Sequence, residues 1–251
     1  MTDVLVLCYH AVSRTWGARL SVTPERFERQ LESLVRRGYR GATFADAMSQ
    51  PPAARTVAIT FDDAYRSVLE LAFPILERVG LPATVFVPTC FAGRDEPMAW
   101  PGIDGWLHGP HEHELCPLDW EQLRGLAAAG WEVGSHTVSH PKLTELDAGS
   151  LERELTESRA TCEKTLGSPC TSIAYPYGDV DARVVRATSE AGYSFGAALP
   201  SAFHVPRTLE WPRVGVYDAD RAWRFRLKSC RPGRALRSSA AGERAAGLLR
   251  H

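Results

Sequence analysis

The chain has 251 residues, of which 44% are hydrophobic and 24% charged, the balance of a globular protein with a sizeable core, which excludes a disordered or collagenous chain. Lys and Arg number 29 against 30 Asp and Glu, for a formal charge of -1, so no bulk field recruits nucleic acid and a small or neutral partner is expected. Six cysteines, Cys8, Cys90, Cys116, Cys162, Cys170 and Cys230, are scattered without a C-x-x-C pair and read as reduced and mostly buried thiols.

Residues 4–9 are a compact apolar run of strand type that ends at His10. That run is too short and too poor in basic flanks for a signal peptide, and no run approaches the length of a spanning helix, so a cytoplasmic protein is expected. Thr23 ahead of Pro24 and Glu25 marks an N-cap with proline at the first helical position, opening an amphipathic helix to about Arg37 that Gly38 closes. Residues 39–44 lead to a short helix and the Pro51-Pro52 turn. Residues 57–61 form a second strand, 65–79 the helix after it, ended by Gly80, and 83–87 a third buried strand behind Pro82.

The βα rhythm then breaks. Residues 91–117 are a long irregular segment carrying Trp100, Trp106, His108, His111, Glu112, His113 and Glu114, and a segment of that length in a compact domain is usually a lid or a binding loop. Its histidines lack helical spacing and sit among Gly and Pro, so a solvated loop is expected there rather than a second metal site. The rhythm resumes with a helix over 119–129 ended by Gly130, a strand over 131–134, a long helix over 148–166 closed by Gly167, and a strand over 171–175. A helix over 180–191 ended by Gly192, a short strand over 194–197, a last strand over 213–216 and a closing helix over 218–227 complete it. From Cys230 the composition shifts to Arg, Ser, Ala and Gly, with Arg231, Arg234, Arg237, Arg244 and Arg250. Residues 1–228 are therefore assigned to one domain and 229–251 to a basic, weakly structured tail, which is solvated or makes at most a weak contact with a membrane surface.

Three short stretches carry the chemistry. Asp62 and Asp63 end the second strand, and neighbours on a strand face opposite ways, so the two share a pocket only if the backbone is already turning. They fit a metal ligand beside a base, or equally a helix N-cap followed by a first-turn acid. His136 and His140, if a helical turn follows their strand, lie on one face at i and i+4 and can grip one divalent cation; a solvated pair is the alternative. Tyr175-Pro176-Tyr177-Gly178 makes a rigid turn after a further strand. All three follow separate strands, where parallel α/β folds build their sites.

Taken in order, Thr60-Phe61-Asp62-Asp63, then Ser135-His136 with His140, then Tyr175-Pro176-Tyr177-Gly178 resemble the polysaccharide deacetylase family, also called the NodB-homology or carbohydrate esterase family 4 group. The resemblance runs from Tyr9-His10 to about Val216. It implies a distorted (β/α) barrel, often of seven strands, and metal-assisted removal of an N-acetyl, less often O-acetyl, group from an amino sugar or glycoconjugate. By the same resemblance Asp63, His136 and His140 hold one divalent metal, zinc by default, with cobalt, nickel or iron also suited to such a set. Asp62 is then the general base and the Tyr177 backbone N–H an oxyanion donor. Tyr175, Pro176, Trp100 and Trp106 are the candidates for contact with the N-acetylated sugar; the two indoles offer faces for stacking, or pack at the barrel rim.

Two departures matter. Many members carry Arg before the Pro-Tyr of the third motif, where it orients the base, but this chain reads Ile173-Ala174-Tyr175, so Arg213 is the candidate replacement. The family's late Leu-x-His motif, which carries the acid, is also absent. His204 lies in a Pro-rich loop and fits poorly, whereas His10 fits a subgroup, including poly-N-acetylglucosamine deacetylases, that brings a histidine from the amino-terminal strand. Other readings are a same-fold amidase acting on a non-sugar or cyclic amide, a non-catalytic carbohydrate-binding relative, and a metal-dependent phosphoesterase, which would want more bridging carboxylates. Without an export signal, an intracellular acetylated sugar, lipid-linked or nucleotide-linked, is the expected substrate.

Overall fold

A run such as VLVLCY can bury both faces only inside a sheet that is itself covered. In the computed structural model, which describes residues 4–49, 55–199 and 206–230, this run is a strand with five of its six residues buried. The elements follow in the order β1 (Val4–Tyr9), β2 (Ala11–Val12), β3 (Ser21–Val22), α1 (Pro24–Arg36), β4 (Arg40–Ala42), α2 (Phe44–Ser49), β5 (Thr56–Phe61), α3 (Phe73–Val79), β6 (Ala83–Val87), α4 (Trp120–Ala128), β7 (Glu132–Ser135), α5 (Ala148–Leu166), β8 (Ser172–Ala174), α6 (Ala182–Glu190), β9 (Phe195–Ala198), β10 (Trp211–Pro212), β11 (Val214–Gly215) and α7 (Ala222–Ser229).

The main sheet is parallel and runs β10-β9-β8-β7-β6-β5-β1-β11, with β4 added beside β5. Its two ends are two residues each of one continuous stretch: Trp211 and Pro212 pair with β9, and Val214 and Gly215 with β1. The result is a nearly closed, distorted parallel barrel. Its path counts eight strands rather than the expected seven, because the last strand is divided at Arg213. Pro212 has no N–H to carry a ladder onward; the Arg213 N–H still turns to Ala198 O, 3.1 Å away, while Val216 N–H turns to Cys8 O at 2.8 Å.

Strand alternation separates two cores. Leu5, Leu7 and Tyr9 of β1 and Val57, Ile59 and Phe61 of β5 pack outward with Phe27 and Leu31 of α1. Val6, Ala58, Phe86, Ala174 and Ala197 pack inside the barrel with Phe44 and Ala47 of α2. Glu132 shares that interior, accepting from the Thr84 hydroxyl at 2.9 Å, the Ala45 N–H at 2.8 Å and the Ser172 hydroxyl.

The helix expected over 65–79 is broken. A π-helical turn occupies Val68–Ala72 before α3, because Pro74 cannot donate into an α-helical ladder. The segment over 91–117 has short 3₁₀ turns at Asp104–Trp106 and Glu112–Leu115, and it is tied to the barrel rim by Leu118 N–H to Ala64 O and Arg66 N–H to Cys116 O, both 2.8 Å. The closing helix starts at Ala222 rather than near Asp218, since Asp220 N–H closes a turn on Tyr217 O at 2.9 Å. All six cysteines are free, as the sequence suggested, but only Cys8, Cys162 and Cys170 are buried; Cys90, Cys116 and Cys230 are partly exposed. His204 and the tail beyond Cys230 lie outside the described residues, and no helix among those described is long and apolar enough to cross a membrane.

The interior is tight at Gly134, where an added Cβ would sit 2.6 Å from the Phe86 ring and from Ser172 Oγ. A Gly134→Ala substitution is expected to destabilise the fold by roughly 1–3 kcal/mol through overpacking, read as a lowered urea midpoint; an unchanged midpoint would show that β6 and β8 yield freely.

Candidate active site

Asp62 directly follows β5, its N–H still bonded to Tyr9 O of β1 at 3.0 Å. Asp63 and Ala64 then take left-handed backbone angles, φ 69° and 54°. This turn answers the facing problem, because it brings two adjacent carboxylates into the wall of one cavity. It also removes the capping alternative: the following helical turn opens at Ser67 without a side-chain cap.

His136 and His140 also converge on Asp63, but not through a helical turn. The chain after β7 is irregular, with Thr137 and His140 at φ 68° and 61°. Glu154 of α5 holds this loop, accepting from the N–H groups of Val138 and Ser139 at 2.7 and 3.0 Å. Both imidazole Nε2 atoms lie 3.3 Å from Asp63 Oδ1. The His136 Nδ1 faces Ala174 O at 2.8 Å, which places its proton there and leaves the Nε2 lone pair directed at the cluster.

These three residues are one of two groups among the described residues whose donor atoms lie close enough to hold a cation. Asp63 Oδ1 is buried and without a hydrogen-bond partner. Burial opposes its charge, yet the two histidines hold its pKa well below the ordinary carboxylate range. A buried carboxylate oxygen facing two imidazole nitrogens, with open cavity beside it, fits a divalent cation with room for water or substrate. The second group, Cys8, His10 and Asp62, does not fit, because Asp62 is already occupied by a guanidinium.

That guanidinium is Arg213. Its Nη1 and Nη2 donate to Asp62 Oδ1 and Oδ2 at 2.6 and 2.8 Å, a bidentate pair buried inside the barrel. Nη1 also donates to Thr60 Oγ1 at 3.0 Å and Nε to Ala198 O at 3.4 Å. Burial alone would raise the Asp62 pKa, but Arg213 overrides it and holds the group at about 2. The Cys8 thiol, 3.4 Å from Oδ2, completes the shell; burial pushes its own pKa well up.

The cavity, about 450 Å³, is lined by His10, Asp62, Asp63, His136 and His140, and by aromatic walls from Trp16, Trp100, Trp106, Tyr177 and Tyr217. Trp100 stacks on the His140 ring at 4.2 Å, and Trp106 meets Trp16 edge-on at 5.8 Å. His10 Nδ1 is buried without a partner, and burial lowers the His10 pKa despite the nearby aspartates. Tyr177 sits at φ 59° with its ring edge-on to His140 at 4.7 Å, and no backbone carbonyl among the described residues accepts its N–H.

Two expected substrate contacts are not brought to the cavity. Tyr175 is wholly buried and its hydroxyl donates to Leu209 O at 2.8 Å; Pro176 is buried as well, the turn of which they are part presenting Tyr177 and Gly178 instead. Trp16, Arg19, Tyr217 and Cys8 are site neighbours that sequence reasoning missed. Cys8 was detectable, since it alternates with Leu7 and Tyr9 toward the barrel interior, whereas Trp16 and Arg19 lie on a connection with no periodicity to read. His108, His113 and Glu112 form no cation-binding group among the described residues.

A parallel barrel carries, at its strand ends, three residues that could hold a cation beside an arginine-held carboxylate. The family model described as Polysaccharide deacetylase matches residues 49–196, and the chain belongs to that family. It is similar to YxkH of Bacillus subtilis (strain 168), which bears the polysaccharide deacetylase name, at 28% identity over 76% of this chain and 62% of that one. It is likewise similar to the poly-beta-1,6-N-acetyl-D-glucosamine N-deacetylase of Staphylococcus aureus (strain MSSA476), at 24% identity over 79% of this chain and 68% of that one. Among solved structures, IcaB from Ammonifex degensii superposes with a TM-score of 0.70 at 25% identity, covering 95% of this chain and 98% of that one. The Streptococcus pyogenes deacetylase PplD, in complex with acetate, shares the fold with a TM-score of 0.75 at 22% identity, covering 91% of this chain and 99% of that one. The chain thus spans less than two thirds of the B. subtilis relative's length.

The ion pair makes a thermodynamic prediction. With Asp62 at about 2 when folded against 3.8 ordinarily, the pair stabilises the fold by on the order of 2 kcal/mol above the unfolded pKa. That contribution is lost as pH falls from about 4 through about 2. Arg213→Met is expected to cost roughly 3–5 kcal/mol at neutral pH by stranding a buried carboxylate, with Asp62→Asn in the same chain recovering part of it. Urea unfolding of the single and double variants checks this, and additive losses would rule out the coupling.

Proposed function

We propose that this chain is a metal-dependent N-deacetylase of an acetylated amino sugar or glycoconjugate. The observation that carries the reading is the placement, in one cavity wall, of a cation-binding triad beside a carboxylate whose two oxygens are held by Arg213. Membership of the polysaccharide deacetylase family and the N-deacetylase name of the S. aureus relative support the amide as the bond cleaved.

Asp63, His136 and His140 would hold the cation, zinc by default. Once bound it supplies Lewis-acid polarisation of the acetyl carbonyl and an acidified water. The remaining work falls to the chain. Asp62, kept ionised and fixed in direction by Arg213, accepts the proton of the attacking water. The N–H of Tyr177, a residue that lines the cavity, donates to the developing oxyanion. His10, grouped with Asp62 at the cavity and with Nδ1 free of protein partners, delivers a proton to the departing amine, so that acetate and a free amino sugar leave. The aromatic walls hold the sugar ring by its apolar face.

Acetate release from N-acetylglucosamine oligomers by protein of measured metal content tests the scheme. Asp62→Asn is expected to lose turnover by at least about 100-fold, the scale of general base catalysis, while keeping its metal, and His136→Ala to lose both. A His10→Ala variant should fall by a similar factor with KM little changed. Near wild-type turnover by Asp62→Asn would sink the mechanism, and undiminished turnover by His10→Ala would remove that histidine from it.

A further inference from the structure

Among the residues that line the catalytic cavity, Arg19 is the one Lys or Arg side chain. It lies on the connection between β2 and β3, exposed, with its guanidinium carbon 4.8 Å from the centre of the Tyr217 ring. Its backbone is fixed: Arg19 O accepts from Asp218 N–H at 3.1 Å, and the flanking residues close a turn through Ser21 N–H to Ala18 O at 3.0 Å. The Asp218 side chain beside this contact is already engaged, since its carboxylate takes Arg26 at 2.8 Å.

The cavity's other charges are matched from within. Asp62 is neutralised by Arg213 from the barrel interior, and Asp63 faces the cation site. No carboxylate among the described residues pairs with Arg19. A guanidinium oriented by an aromatic face at the cavity mouth and left without a counter-charge is a seat for planar or tetrahedral anionic oxygens, which it receives bidentately. A divalent cation on Asp63 would make the field there more positive still.

We propose that Arg19 is a specificity-determining residue and that the substrate is an acetylated amino sugar bearing a negatively charged substituent, a carboxylate or a phosphate, on the same or an adjoining unit. This deepens the deacetylase reading and rests on it. A purely structural Arg19, stacked to cover Tyr217, would leave substrate preference indifferent to charge.

The test uses full-length wild type, Arg19→Gln and Arg19→Lys at matched metal content, with three otherwise equivalent N-acetylhexosaminides: one neutral, one carrying a phosphate ester, one a carboxylate. Acetate release is followed at ionic strengths from about 0.1 M to about 1 M, over which the screening length falls from about 10 to about 3 Å. The expected result is kcat/KM about tenfold higher for one of the anionic substrates, expressed in KM, shrinking with salt. That ratio collapses toward unity in Arg19→Gln and is partly kept in Arg19→Lys. Preference for the phosphate ester or for the carboxylate identifies which anion the seat takes. Equal kcat/KM for all three in wild type, or a ratio that Arg19→Gln leaves intact, overturns the inference while the deacetylase reading stands. Acetate from none of the three overturns that reading and the inference with it.

Discussion

Asp62 and Arg213 meet inside the barrel with side chains 5% and 0% exposed, and removing two such charges from water costs several kcal/mol per ion unless geometry and further hydrogen bonds offset it. Here they do. The guanidinium reaches both carboxylate oxygens, Thr60 Oγ1 and Ala198 O. The same residue divides the closing strand between β9 on one side and β1 on the other. Barrel closure and the orientation of the Asp62 carboxylate are therefore one structural fact: the stretch that joins the two ends of the sheet carries the side chain that crosses the interior to β5. Small residues leave the space for it. Ala174 packs with Phe86 in the inner cluster, and the guanidinium lies 5.6 Å from the Phe86 ring centre.

The site also concentrates backbone strain. Of the six non-glycine residues with positive φ among those described, Asp63, Ala64, Thr137, His140 and Tyr177 stand at three strand ends around the cavity, and only His108 lies elsewhere. Left-handed angles cost such residues roughly 1–3 kcal/mol each and persist only where the surroundings over-determine them. The compensating contacts are visible: Leu118 N–H on Ala64 O, Thr137 N–H on Ser135 Oγ at 3.1 Å, His140 N–H on Thr137 Oγ1 at 3.1 Å, and Glu154 under the loop between the histidines. Helix α5 thus holds the loop between His136 and His140 from outside the barrel.

How much of this the sequence discloses follows the range of the forces involved. The buried strands, α1 with its Thr23 cap and Pro24 start, and α5 from Ala148 to Leu166 are written in local periodicity and capping chemistry, and they read correctly. Asp62, Asp63, His136 and His140 read as site residues because three motifs sit at three strand ends. Arg213 was a candidate because the family resemblance implied an arginine where this chain has Ala174. What escaped depends on contacts far apart in sequence or on local strain. The histidine pair looked helical because i and i+4 spacing is the simplest way to share a face, whereas a left-handed Thr137 achieves the same convergence. Tyr175 looked like a ligand contact because its turn borders the cavity, but its hydroxyl finds Leu209 O, 34 residues away. The division of the last strand at Arg213 depends on which edges the barrel happens to bring together.

Two adjacent aspartates are chemically identical, yet they end in opposite environments, and the structure contains the reason. One residue of left-handed backbone separates a carboxylate that continues the strand's inward face from one that turns into the cavity. The first meets a fixed guanidinium, which donates one hydrogen bond to each of its oxygens, counters its charge and leaves its remaining lone pairs able to accept a proton. The second keeps Oδ1 unpartnered between two imidazoles, an arrangement stable only with a proton or a metal among them. Environments that push neighbouring titratable groups apart are how one site runs acid, base and Lewis-acid chemistry at a single pH. In this barrel the separation is produced by the backbone turn at Asp63 and by the origin of the arginine, which approaches from the closing strand rather than from β8.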